Sequence, residues 1–166
     1  AFGVHCESAH AITAAVRAVT KKPLVVKLSP NVTDITEIAR AVETAGADAV
    51  SLINTLLGMR IDIRTRRPIL KNNVGGMSGP AIFPLAVRMV WQVANAVSIP
   101  VIGMGGISTG ADAIEMMMAG ASAVQMGTAI FNDPYAPIKV CEGMEKFLAE
   151  QKIEKISDIV GTVKPW

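Results

Sequence analysis

A lysine, an asparagine–threonine pair and two glycine turns are the residues of this sequence best suited to chemistry: Lys27, Asn54-Thr55, Gly105-Gly106 and Gly127-Thr128. Each lies at the end of a short apolar run. In parallel α/β folds the working groups gather at the carboxyl ends of the strands. Lys27 sits in Val25-Val-Lys-Leu-Ser29, where strand alternation puts Val25, Lys27 and Ser29 on one face and Leu24, Val26 and Leu28 on the other. A lysine buried there is costly unless it meets an anion or a carbonyl; the alternative is that it snorkels out at the strand end. Asn54 offers donor and acceptor atoms, which suit a planar heterocycle and equally an ordinary turn. Glycines at the ends of adjacent strands leave no side chain between main-chain N–H groups and a ligand. The last two strands of a (β/α)₈ barrel commonly hold a phosphate in this way. Gly75-Gly76 and Ser78-Gly79 share an intervening loop that either cradles a ligand or turns the chain.

The elements that must position these residues follow from periodicity. Strands are expected over 23–29, 48–54, 100–103 and 123–126, each rich in β-branched or small apolar residues. Ala1 to Thr20 should open in a turn and become a helix with Ala9, Ile12, Val16 and Val19 on one face. A second helix, capped by Thr33 or Asp34, runs through Ile38, Val42 and Ala45 to stop at Gly46. Pro80 suits the first turn of a third, reaching about Val97. Thr109, with Asp112 following at N3, predicts a capped fourth helix that Gly120 stops, and 135–151 reads as the last. The stretch 57–73 differs: it alternates, turns near Thr65-Arg66 and returns through Pro68, which predicts an excursion shaped like a hairpin with Arg60, Arg64, Arg66 and Arg67 on a solvated face.

Ala45-Gly-Ala-Asp-Ala-Val50 recurs as Ala119-Gly-Ala-Ser-Ala-Val124, each joining a helix end to a strand, the mark of repeated βα units. Strands linked by helical crossovers are parallel. The fold class is therefore α/β, a (β/α)₈ TIM barrel of which the chain covers about the C-terminal four βα units, as one domain over 1–166 with the insertion at about 57–73.

The totals exclude several classes. A hydrophobic fraction of 51% over 166 residues argues for a buried core. The net charge of +2 is too small to imply a nucleic acid or membrane partner. No apolar run approaches the roughly 18 residues needed to span a bilayer. The chain has neither a secretory signal nor an initial Met, and is expected to start mid-sequence. Cys6 and Cys141 form no metal spacing and no disulfide framework, and His5 and His10 lack a metal-ligand pattern, so no metal site is expected and the cytoplasm is the natural compartment. Met116-Met117-Met118 reads as adaptable core packing.

Five stretches, Val26-Lys-Leu-Ser-Pro-Asn31, Ile53-Asn-Thr-Leu56, Gly75-Gly-Met-Ser-Gly-Pro80, Ile102-Gly-Met-Gly-Gly106 and Val124-Gln-Met-Gly-Thr128, together resemble dihydroorotate dehydrogenase, most closely the catalytic subunit of its NAD-linked class 1B branch. The resemblance implies an FMN-containing barrel that oxidises dihydroorotate to orotate in pyrimidine biosynthesis. It implies that Lys27 stabilises negative charge on the reduced flavin, that Ile53 contacts the flavin, and that Asn54 and Thr55 bind orotate. Gly79, Gly105, Gly106, Gly127 and Thr128 would hold the FMN, the last two pairs mainly at its phosphate. It further implies a partner subunit carrying FAD and a [2Fe–2S] cluster, in a homodimer or heterotetramer; two distant cysteines cannot supply that cluster's ligands. The family's catalytic base, a cysteine, lies upstream of the segment matching Ala1-Phe-Gly. Cys6 does not inherit that role, no catalytic residue is expected here, and the chain alone should be inactive.

Other readings remain open. Another FMN barrel acting on pyrimidines, like dihydropyrimidine dehydrogenase, would use Asn54-Thr55 equally well. A sugar-phosphate isomerase or synthase would share the phosphate loops but place carboxylates at strand ends, where this sequence has Lys27 and Asn54. A non-catalytic half-barrel is the third.

Overall fold

The computed structural model describes residues 2–166; Ala1, where the opening turn was expected to begin, lies outside them. A 3₁₀ turn at Phe2–Val4 leads into α1 (Cys6–Val19), β1 (Val25–Lys27), α2 (Ile35–Thr44) and β2 (Ala49–Leu52). An arm of four short strands follows: β3 (Leu56–Gly58), β4 (Ile61–Asp62), β5 (Arg67–Pro68) and β6 (Gly75–Met77). A 3₁₀ turn at Pro80–Ile82 opens into α3 (Phe83–Ala94), then β7 (Val101–Met104), α4 (Gly110–Met118) and β8 (Ala123–Gln125). The chain closes with α5 (Thr128–Asn132), α6 (Ala136–Gln151) and a 3₁₀ turn at Ile156–Ile159.

The sheet is parallel, in the order β1-β2-β7-β8, with Val26 opposite Val50, Ser51 opposite Ile102 and Gly103 opposite Val124. β2 is buried along its whole length, as a central strand covered by helices should be. Ile38, Ala39 and Val42 of α2, Val90 and Val93 of α3 and Met116 of α4 join Val50 and Leu52 in one core. Gly103 allows close packing on the sheet, because a Cβ there would lie 2.5 Å from Met116 Cγ and 3.0 Å from Ala121 Cβ.

Helix starts follow local chemistry. Asp34 accepts the Thr36 N–H at 2.8 Å and caps α2. Thr109 and Asp112 form a reciprocal capping box on α4, with bonds of 3.2 and 2.8 Å. Two expectations change, and one open reading closes. On α1 the buried positions are Ala9 and Thr13, whereas Ile12, Val16 and Val19 are exposed, because the helix packs on α2 along a narrower face. Of the two readings of Lys27, buried or snorkelling, this chain shows an exposed lysine: β1 is an end strand of the sheet, and its face carrying Val25, itself 46% exposed, is open. The excursion is two successive antiparallel ribbons, β3–β6 and β4–β5, spanning 56–77, and the stretch read as a glycine loop supplies β6. At its tip the Asp62 carboxylate accepts from Arg64 N–H and the Thr65 hydroxyl, and Arg66 takes a left-handed turn with φ 57°. Among the described residues no helix is long and apolar enough to cross a membrane.

Candidate functional site

The carboxyl ends of the parallel strands, the return of the arm and the α5 turn enclose a cleft of about 440 Å³. Lys27, Ile53, Asn54, Thr55, Gly79, Gly105, Gly106, Gly127 and Thr128 all line it. A volume of that order suits a small-molecule ligand or cofactor. Lys27 stands at the end of β1 and makes no ion pair with a described residue.

The floor is set by the parallel ladder continuing past β2. Ile53 N–H donates to the Met104 carbonyl of β7 at 2.9 Å, and Asn54 N–H donates to the Leu28 carbonyl beyond β1 at 3.0 Å. Ile53 is therefore buried at the base while the Asn54 side chain is exposed in the cleft. The peptide between Leu52 and Ile53 is cis. Thr55 lies against the arm: a Cβ on Gly76 would collide with its hydroxyl, which is why β6 carries a glycine there.

The glycine turns divide by what surrounds them. Gly79, Gly105 and Gly106 have φ of 94°, 125° and 80°, a region that side chains rarely adopt. A Cβ on Gly105 would sit 3.0 Å from Ala86 Cβ, and one on Gly106 would sit 2.8 Å from both the Gly79 carbonyl oxygen and Phe83 Cβ. These glycines thus permit the turn and the approach of two loops, a different reason from the clear path to a ligand read in the sequence. Gly127 is the opposite case, with no protein atom within 4 Å of its ideal Cβ. It precedes α5, whose start has no side-chain cap; the Ile130 N–H turns back to the Gly127 carbonyl at 3.0 Å, which leaves the Thr128 and Ala129 N–H groups for solvent or a ligand.

Some cleft groups had no clear signal in the sequence. Ser108 lies between Gly106 and α4, and its N–H and hydroxyl each donate to Asp112 at 2.9 Å. Burial pushes the Asp112 carboxyl up, but the Ser108 and Thr109 donors outweigh it and hold the group below its ordinary range. Asp133 and Lys139 close one side of the cleft through a 2.7 Å ion pair. The Lys139 donor, then the Tyr135 N–H, lowers the Asp133 carboxyl, and the same bond raises Lys139. The α5 helix itself was missed because five residues behind a glycine carry no period to read.

Residues 1–148 match the family model for dihydroorotate dehydrogenase. This chain belongs to the dihydroorotate dehydrogenase family. It is 58% identical over 164 residues to the catalytic subunit of dihydroorotate dehydrogenase B (NAD(+)) of Bacteroides thetaiotaomicron, covering 99% of this chain and 54% of that protein. The corresponding subunit of Trichlorobacter lovleyi is also 58% identical, over 163 residues, with 98% and 54% covered. The fold matches the crystal structure of Eimeria tenella DHODH in complex with ferulenol, with a TM-score of 0.79, 25% identity, and 95% of this chain against 48% of that one. The chain spans about half the length of the curated dihydroorotate dehydrogenases it matches, and its four parallel βα units are accordingly part of a TIM barrel.

Proposed function

We propose that this chain is the C-terminal half of the FMN barrel of a class 1B dihydroorotate dehydrogenase. The complete cytoplasmic enzyme oxidises dihydroorotate to orotate in de novo pyrimidine synthesis. Its electrons pass to NAD through a partner subunit carrying FAD and a [2Fe–2S] cluster, in a homodimer or heterotetramer. The observation that supports this best is the meeting of Lys27, Asn54-Thr55 and the three glycine turns in one cleft of cofactor size.

The residues fit a phosphate-bearing flavin. The open space at Gly127, which a side chain would fill, adjoins the uncapped first turn of α5, and backbone N–H groups at such a turn suit an anion. FMN, when bound, supplies an acceptor for the two electrons that leave the substrate. Lys27 brings a positive charge with no carboxylate partner among the described residues, so it favours whatever negative charge develops in the cleft. Ile53 gives an apolar contact at the base, Asn54 offers a donor and an acceptor to a heterocycle, and Thr55 adds a hydroxyl beside it. Gly79, Gly105 and Gly106 add main-chain atoms to the same lining and let its two loops approach closely. The proton acceptor, a cysteine, belongs to the part of the enzyme outside this chain.

The test uses the full-length protein. Purified, it should show a flavin spectrum that dihydroorotate bleaches in the absence of oxygen. A colourless protein, or one bleached by dihydrouracil and not by dihydroorotate, overturns the reading.

A further inference from the structure

The turn after β1 is tied to the segment after β2 by one side chain. Asn31 Nδ2 donates to the Thr55 carbonyl at 3.0 Å, and its Oδ1 accepts the Leu57 N–H at 2.9 Å. These are the carbonyl and N–H of residues two apart on one extended stretch, the pair that a parallel neighbouring strand would engage. The amide of Asn31 therefore stands where a strand's peptide group would, at the edge of β3. Its orientation is fixed, since the reverse would set its NH₂ against the Leu57 N–H. Ser29 Oγ holds Asn31 in turn, accepting from its backbone N–H at 3.2 Å and from Nδ2 at 3.3 Å.

We propose that Asn31 is a positioning residue for the substrate end of the cleft, fixing Thr55 and through it Asn54; this rests on the dihydroorotate reading above. Asn54 is fastened on its N-terminal side by its own N–H bond to Leu28, and Ile53 by its bond to Met104. Among the described residues, no backbone bond outside the helices and strand ladders reaches the Thr55 carbonyl, which takes the Asn31 amide instead. Gly76 lies under the Thr55 hydroxyl from the arm side, so Asn31 and β6 hold the residue between them. A primary amide offers a donor and an acceptor from one planar centre at neutral pH. An aspartate of the same shape would accept from Leu57 but turn a carboxylate oxygen against the Thr55 carbonyl. The clamp's hydrogen bonds involve Ser29, Asn31, Thr55 and Leu57 and none of the cleft glycines, so the effect should be local to substrate.

In the full-length holoenzyme, Asn31→Ala should weaken orotate binding and raise the KM for dihydroorotate by about tenfold, the scale of one or two lost hydrogen bonds. Asn31→Asp should do so by more. FMN content and the flavin reduction rate at saturating dihydroorotate should stay within about twofold of wild type, the split expected of lost ground-state binding. Amide exchange at Leu57 should quicken in Asn31→Ala. Unchanged orotate affinity in both variants overturns the proposal, as does equal loss of FMN and substrate affinity, which would make Asn31 a general structural residue. A wild-type holoenzyme that dihydroorotate does not reduce overturns the underlying reading instead, and the Leu57 exchange then still decides whether the clamp exists.

Discussion

Thr128 and Ser78, fifty residues apart in sequence, share a hydroxyl–hydroxyl bond of 2.9 Å from Thr128 Oγ1 to Ser78 Oγ. The bond joins the end of the ribbon arm to the start of α5, so two loops on the cleft wall are fixed to each other rather than to the sheet beneath. Ser78→Ala in the full-length enzyme should cost about 1 kcal/mol of that link. FMN affinity should fall roughly fivefold. Equilibrium dialysis of FMN checks this, and unchanged affinity would remove the link from the binding site.

Gly127 and Gly106 should fail differently when enlarged. A side chain at Gly127 meets no protein atom and projects into open space, so Gly127→Leu should lose FMN while the thermal midpoint of the apoprotein holds. Gly106→Leu combines a φ of 80° with contacts at 2.8 Å to backbone and Phe83, and should lower the midpoint as well, by the equivalent of about 1–3 kcal/mol. Equal melting of the two variants would show that the cleft is not open at Gly127.

Lys27→Ala should slow reduction of bound FMN by dihydroorotate about a hundredfold, the scale of removing one preorganised charge stabiliser. FMN content should change far less. Stopped-flow absorbance at saturating substrate measures the step, and a wild-type rate would take the lysine out of the reaction.

Asn54→Ala should weaken orotate binding by about 1–3 kcal/mol, the cost of leaving ligand polar groups unpaired. The flavin should remain bound. Titration of the flavin spectrum with orotate reads the change, and an unshifted curve would exclude Asn54 as a substrate ligand.

Asp112 makes a pH prediction. Its carboxyl lies below the ordinary range when folded, so its contribution is fully present above the unfolded value and disappears as pH falls through the folded one. Asp112→Ala removes the N3 half of the capping box on a group that solvent still screens, and should cost up to about 1 kcal/mol at neutral pH. The gap to wild type should close in acid. Denaturant midpoints measured down the pH scale test it, and a gap that stays constant would mean the charge is not what caps α4.

The parallel strands and their helices were legible because their signals are local. Thr33 or Asp34, and Thr109, read as caps from their neighbours in sequence, and a run such as Ala49–Leu52, buried along its whole length, carries only Ser51 as a polar interruption. The gathering of Lys27, Asn54 and the later glycines was legible for a topological reason: parallel strands all end on one side. What escaped depended on distant partners. Gly75 and Gly76 looked like turn residues, yet they sit in a strand because Leu70 and Thr55 lie where their side chains would be. Asn31 carries no periodicity or charge, and its partners are backbone groups 24 and 26 residues away. Alternation left Lys27 between a buried and a snorkelling reading because it reports which face a residue shares, and not what covers that face; in this chain the lysine is exposed.

The tip of the arm has a practical use. It is held by its own Asp62 bonds and pairs only β4 with β5, and none of its residues lines the cleft. Its exposed Arg64 and Arg66 invite trypsin, so a cut there would sever the chain while leaving the cleft wall in place. The same turn is a natural handle, where a fluorophore, an affinity tag or a tether to a surface can be attached at a distance from the chemistry.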